Sequence, residues 1–369
     1  MWLRFIKLLV TAAALSGPLA SVSDAAEPPP PLPNLHANGN KTSVSGLSSG
    51  GYMAGQYGVV FSSSVKGVGI VAAGPFGCFP VYFTQFLPFL GAGTPLTAFE
   101  KCMTGEPRGN VAYFFAKGLE GQQVNGQRLI DSMDNLKHQK IYIFTGKRDS
   151  VVTSRVADAT KQFYERAGAN KKKLRYVDNI SAEHAFIFPQ VDTPCEKLGG
   201  LYIVHCEFPP KVEYDQPREI LKFIYGKLHA PAQHLSSAPV AYSQKEFIPP
   251  ARDGEMLLGQ SGFDDAGYVY IPAMCKDEKS RGCSVHVVFH GCLQAAEKVQ
   301  AAVYGSPAYN RWADTNSIIV LYPQIKASDL GNKGGCWDWY GYSTSLVVQS
   351  NTAPQMAAVK AMVDRLTNR

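Results

Sequence analysis

A serine flanked by glycines, Gly46-Leu47-Ser48-Ser49-Gly50, reproduces the G-x-S-x-G spacing that turns a strand sharply into a helix and exposes the hydroxyl at the bend. The glycines have a steric purpose, since side chains beside the serine would collide with the neighbouring strand or helix. The following helix aims its amide ends at the bend, where negative charge develops in acyl transfer. A hydroxyl is a weak nucleophile until a base takes its proton, so a histidine and an orienting carboxylate must come later. In the order serine, acid, histidine, Asp149 follows the strand-like Lys140 to Thr145, and His184 follows the strand-like Leu174 to Val177. Asp149 also reads as a turn or helix-capping residue, with Asp178 and Asp192 as the other acids in range.

Acyl transfer further needs two main-chain donors for the oxyanion, one from the residue after the nucleophile, here Ser49, and one from a loop after another strand. The apolar run Ser284 to Phe289 leads into His290-Gly291-Cys292 and has the character of that loop, but it lies C-terminal to the serine. Joining the amphipathic Pro354 to Leu366 helix to the strand at Thr42 restores the usual order: oxyanion strand, helix, strand, helix, nucleophile, acid, histidine. The expected fold is therefore α/β: a circularly permuted α/β-hydrolase with a mostly parallel central sheet flanked by helices.

The elements that must hold these groups can be read from periodicity. Residues 52–61 read as a helix after the serine, and Gly67 to Ala73 as a buried strand. Ser154 to Ala167 and Pro217 to Leu228 read as helices. Gly267 to Ala273 and Ser284 to Phe289 read as the two strands of a hairpin. A helix at Pro307 to Thr315 and a strand at Ser317 to Tyr322 follow. Residues 76–138 give no clear pattern and read as an aromatic insertion over the sheet, while 229–246 reads as a connection rich in Pro, Ser and Ala.

Composition sets the compartment and excludes several classes. The 369 residues are 45% hydrophobic and 18% charged, enough for a large core and against disorder or coiled coil. A formal charge of +6 is too small for a nucleic-acid reading. Residues 1–26, with basic Arg4 and Lys7, an apolar centre and small residues at Ser23, Ala25 and Ala26, read as a signal peptide, so the protein is expected outside the cytoplasm, in the periplasm or the medium. No later segment has the length of a membrane helix. Residues 27–40 read as a stiff Pro-rich leader before the fold begins, and 41–369 as one catalytic domain.

Eight cysteines in an exported chain point to four disulfides. Proximity along the chain favours Cys78 with Cys102, Cys195 with Cys206, and Cys275 with Cys283, leaving Cys292 for Cys336. A zinc site from Cys283, His286, His290 and Cys292 is the alternative, but Cys283 and His286 would point to opposite faces of a strand.

Taken together, SVSGLSSGGYMA around Ser48, Asp149, AEHAF around His184, VVFHGCLQ and GCWDWYGY resemble the secreted poly(3-hydroxybutyrate) depolymerases of the single-domain, circularly permuted kind, over most of residues 41–345. The resemblance implies a nucleophile at Ser48, an orienting acid at Asp149, a base at His184 and an oxyanion hole from the amides of Ser49 and Cys292. It points to a polyester polymer or its oligomers as substrate and implies no separate polymer-binding domain; no cofactor, no membrane or nucleic-acid partner, and a monomer are expected. Trp337 and Trp339 are expected to touch the polymer, since their spacing puts both on one side of an extended loop. A carboxylesterase for small or plant-wall esters, and a binding protein that keeps the fold without turnover, are the competing readings.

Overall fold

The computed structural model describes residues 27–83, 94–208, 211–248, 261–276, 282–329, 331–343 and 348–368. The expected signal peptide lies outside the described residues. An eight-stranded sheet organises the chain: β1 Thr42–Leu47, β2 Val65–Val71, β3 Lys140–Phe144, β4 Leu174–Val177, β5 Val240–Ser243, β6 Ala266–Tyr270, β7 Ser284–Phe289 and β8 Ile318–Tyr322. Their spatial order is β5-β6-β8-β7-β1-β2-β3-β4. Only β6 runs against its neighbours; every other pairing between β8 and β4 is parallel. Counted from β5, the order is that of an α/β-hydrolase, entered by this chain at β1, the strand that precedes Ser48.

The chain ends meet where the permutation requires. Helix Pro354–Thr367 closes the chain, and its Leu366 carbonyl accepts from Ala37 N at 2.9 Å, while Asn34 Nδ2 donates to Asn368 Oδ1 at 3.1 Å. The Pro-rich leader is thus part of the fold, which corrects the expectation that the fold starts after it. Leu32 and Ala37 are buried in the core, and the Pro30 carbonyl accepts from Ser243 N at 2.7 Å on edge strand β5. Prolines cannot donate to a ladder, but their carbonyls can accept from an edge.

Alternation along the strands builds two cores. Val44, Ile141 and Ile143 face one side, packed with the helix after Ser48 and the C-terminal helix. Tyr142, Phe144, Val288 and Val320 face the other, against helices Gln216–Tyr225 and Pro307–Thr315.

Two expectations change. β6 and β7 do not form a hairpin, because β8 lies between them, and the Cys275–Cys283 bond ties the connection instead. A parallel β7-β8 pair is reached through a helical crossover, which local patterning of β6 and β7 does not reveal. The 229–246 connection contains strand β5, too short and exposed to announce itself.

The 76–138 insertion, described at 76–83 and 94–138, is organised around three helices. It contributes helices α2 Cys78–Tyr82, α3 Pro95–Met103 and α4 Gly109–Glu120, with α1 (Ser49–Val60) preceding them. The Cys78–Cys102 disulfide staples α2 to α3. All four expected disulfides are formed, and no described cysteine is free. The zinc alternative loses both of its thiolates to these bonds. Among the described residues no helix is long and apolar enough to cross a membrane.

Candidate active site

Ser48 sits between β1 and α1 at φ +57°, a backbone region that costs a non-glycine residue about 1–3 kcal/mol and persists where surrounding contacts dictate it. Its N–H donates to Val71 O at 2.9 Å, and its carbonyl accepts from Tyr52 N to start α1. The flanking glycines are required by close approach. A Cβ on Gly46 would lie 2.2 Å from Gly50 O, and one on Gly50 would lie 2.3 Å from Phe289 O on the neighbouring β7.

The acid and the histidine come from the loops after β3 and β4, which are zipped together by Lys147 N to Ile180 O at 2.7 Å and Arg148 N to Ala182 O at 3.1 Å. His184 Nδ1 lies 2.9 Å from Asp149 Oδ2 and 3.1 Å from Oδ1, with both side chains buried. Asp149 Oδ1 also accepts from Val151 N at 3.0 Å and Val152 N at 2.7 Å, so one carboxylate both caps this turn and meets the imidazole. Those bonds leave it one orientation, in which it faces Nδ1–H and leaves Nε2 as the ring's basic nitrogen. Glu183, which the sequence reading passed over, accepts from Ser150 N, Ser150 Oγ and His184 N at 3.1–3.2 Å and joins the two loops. Asp178 and Asp192 are exposed, whereas Asp149 is buried with the histidine.

A pocket of about 200 Å³ opens at Ser48. Ser48, Ser49, Cys292 and Cys336 form one part of its lining, with Tyr52, Val152, Trp339 and Tyr340, and with Phe99 and Met103 from α3. The candidate oxyanion donors from opposite ends of the chain therefore meet at the serine. Among the described residues, no protein acceptor takes the main-chain N–H of Ser49 or Cys292. Ser48 Oγ and His184 Nε2 are not joined by a hydrogen bond here, a contact that hydrolases often close only around substrate.

The two tryptophans separate. Trp339 stacks on Tyr52 with ring centroids 4.4 Å apart and meets Phe99 edge-on at 5.2 Å, forming the pocket wall. Trp337 is fully buried against Phe289 and His290 beneath the site, which corrects its expected role as a polymer contact. The loop is not extended: buried Asp338 accepts from the main-chain N–H groups of Tyr340, Gly341, Tyr342 and Ser343 and curls it. Burial raises the Asp338 carboxyl, and these donors oppose the rise.

Tyr52, Phe99, Met103 and Tyr340 were not singled out in the sequence. Tyr52 carried a signal, standing four residues after Ser48 on the same helical face. Phe99 and Met103 carried only their nearness to Cys102.

A strained strand-to-helix serine, a carboxylate-held histidine on later loops and a permuted eight-stranded sheet define a serine hydrolase of the circularly permuted α/β-hydrolase class. No family model matches the chain. It is 34% identical over 342 residues to a poly(3-hydroxybutyrate) depolymerase of Delftia acidovorans, covering 91% of this chain and 62% of that protein. It is 32% identical over 354 residues to a polyhydroxybutyrate depolymerase of Talaromyces funiculosus, covering 91% of this chain and 92% of the relative. The chain thus spans about three-fifths of the first relative and nearly all of the second. Among solved structures, PHB depolymerase from Penicillium funiculosum superposes with TM-score 0.76 and 31% identity, covering 92% of this chain and 99% of that one. A PHB depolymerase complexed with an R3HB trimer gives TM-score 0.77 at the same identity and coverage. The chain belongs to the poly(3-hydroxybutyrate) depolymerase family.

Proposed function

We propose that the protein is a secreted esterase that hydrolyses the ester bonds of poly(3-hydroxybutyrate)-type polyesters or their oligomers through an acyl-enzyme. His184 Nε2 takes the proton of Ser48 Oγ as it attacks the ester carbonyl. Asp149 keeps the proton of Nδ1 in place and stabilises the imidazolium that forms. The main-chain N–H groups of Ser49 and Cys292 receive the oxyanion. Collapse of the tetrahedral intermediate breaks the ester C–O bond, and His184 returns the proton to the departing hydroxyl. Water, activated by the same histidine, then releases the hydroxyacid end from Ser48.

The observation that carries this reading is the 2.9 Å His184–Asp149 pair on the loops after β3 and β4, with Ser48 and Cys292 lining one pocket. The names of the relatives support the polyester, and the apolar wall of Trp339, Tyr340, Phe99 and Met103 suits an aliphatic chain. Four disulfides and a leader of signal-peptide character support export. We read residues 27–369 as one catalytic domain acting as a monomer.

The test compares polymer film clearing and oligomer release with hydrolysis of matched soluble esters, using wild type and Ser48→Ala. Faster turnover of 3-hydroxybutyrate oligomers, abolished in the variant, supports the proposal. Turnover of small esters alone moves the assignment to a carboxylesterase, and no turnover of either leaves the non-catalytic binding reading.

A further inference from the structure

The Cys292 N–H can receive an oxyanion only if the Gly291–Cys292 peptide is held in one orientation. His290 supplies that hold. Its ring is buried, and Nε2 accepts from Ile325 N at 3.1 Å, which leaves the ring proton on Nδ1. Nδ1 lies 2.8 Å from the Gly291 carbonyl oxygen and donates to it. Because a peptide is planar and trans, pinning that carbonyl points the Cys292 N–H the opposite way. Donation to the carbonyl also polarises the peptide and strengthens its N–H as a donor. On the other side of Gly291, its own N–H is held by Gln294 Oε1 at 2.8 Å. The Gln294 amide in turn donates to the carbonyls of Leu201 and Tyr202.

We propose that His290 is a positioning residue that aims and polarises the Gly291–Cys292 peptide as the second oxyanion donor. The proposal rests on Ser48 being the nucleophile. Trp337, packed on the imidazole at 5.7 Å, keeps water from its two hydrogen bonds. Burial lowers the imidazole to about 4, which keeps it neutral under neutral conditions, and the Ile325 N–H donated to Nε2 then selects the tautomer.

Two measurements test it. In wild-type protein labelled with 15N-histidine, NMR at neutral pH should find His290 as the Nδ1–H tautomer; the Nε2–H tautomer overturns the proposal. His290→Phe should lower kcat about 10- to 100-fold with KM nearly unchanged, and weaken a boronic acid that forms a tetrahedral serine adduct by the same factor. His290→Asn, whose side-chain amide can replace the Nδ1 donor, should recover most of both losses. An unchanged kcat and boronate affinity in the Phe variant, or an Asn variant no better than Phe, also overturns it. If the Phe variant does not fold, the tautomer decides. Failure of the underlying reading has a different signature: wild type would not bind the boronate, or Ser48→Ala would keep turning over.

Discussion

Cys292 is bonded to Cys336, so the residue proposed to carry the second oxyanion donor is covalently tied to the loop that presents Trp339. The two residues are 44 positions apart in sequence, and a second tie, Leu293 N to Gly334 O at 2.7 Å, runs beside the bond. The proposed oxyanion donor and the Trp339 side of the pocket are therefore one mechanical unit.

Breaking that unit should cost both stability and turnover. A crosslink closing a loop of this length restricts the unfolded chain by about 4 kcal/mol. Cys292→Ser combined with Cys336→Ser should lower the calorimetric Tm and reduce kcat on oligomers more than tenfold, roughly the effect of losing an oxyanion donor. Unchanged kcat below the new Tm would separate the disulfide from catalysis.

Asp149→Asn should drop kcat by about 10⁴ with little loss of fold, because an amide facing Nδ1 favours the wrong imidazole tautomer. Burst kinetics with a chromogenic ester would measure it. A loss of less than tenfold would remove Asp149 from the relay.

The two tryptophans should fail differently. Trp337→Ala empties a core site and should cost about 3–5 kcal/mol in urea unfolding. Trp339 is also buried, against Tyr52 and Phe99, so Trp339→Ala should cost stability as well, but because it lines the pocket it should in addition raise oligomer KM, which Trp337→Ala should not. An equal change of KM in the two variants would contradict the placing of Trp339 alone in the pocket wall.

Acid should destabilise the fold through buried histidines. His286 lies between Ser43 Oγ at 2.7 Å and Ser45 Oγ at 2.8 Å, and burial lowers its imidazole to about 3. The unfolded chain titrates near the ordinary value of about 6.5, so between these values it binds a proton that the folded chain excludes. The stability is present above about 6.5 and is lost as pH falls toward 3, on the order of 1 kcal/mol per pH unit. His290, lowered to about 4, acts with the same sign. His286→Gln should flatten the dependence of the urea midpoint on pH below 6; an unaltered slope would assign the acid lability elsewhere.

Local pattern was enough for much of this protein. Hydrophobic period marked most strands and helices close to their observed bounds, as at Leu174–Val177 and Pro307–Thr315, because those elements each present one consistent face. The serine turn was legible because its steric demand falls on adjacent residues. The pairing of Asp149 with His184, the candidate acid and base, was legible because each follows a strand in a known order. Neighbouring cysteines were legible because short loops pair easily.

What local pattern could not supply depends on contacts far apart in the chain. The insertion of β8 between β6 and β7, and the burial of Leu32 beside the C-terminal helix, are decisions of the packed sheet. So is the separation of Trp337 from Trp339, since a buried Asp338 curls a loop whose spacing alone predicts one face. His290 is the sharpest instance: in sequence it is one polar residue after an apolar run, and only its two opposed hydrogen bonds, to Ile325 and Gly291, give it a direction. The sequence by itself determined which groups were present and in what order; the tertiary structure decided which way they point, because orientation is set by neighbours that only folding brings within hydrogen-bond reach.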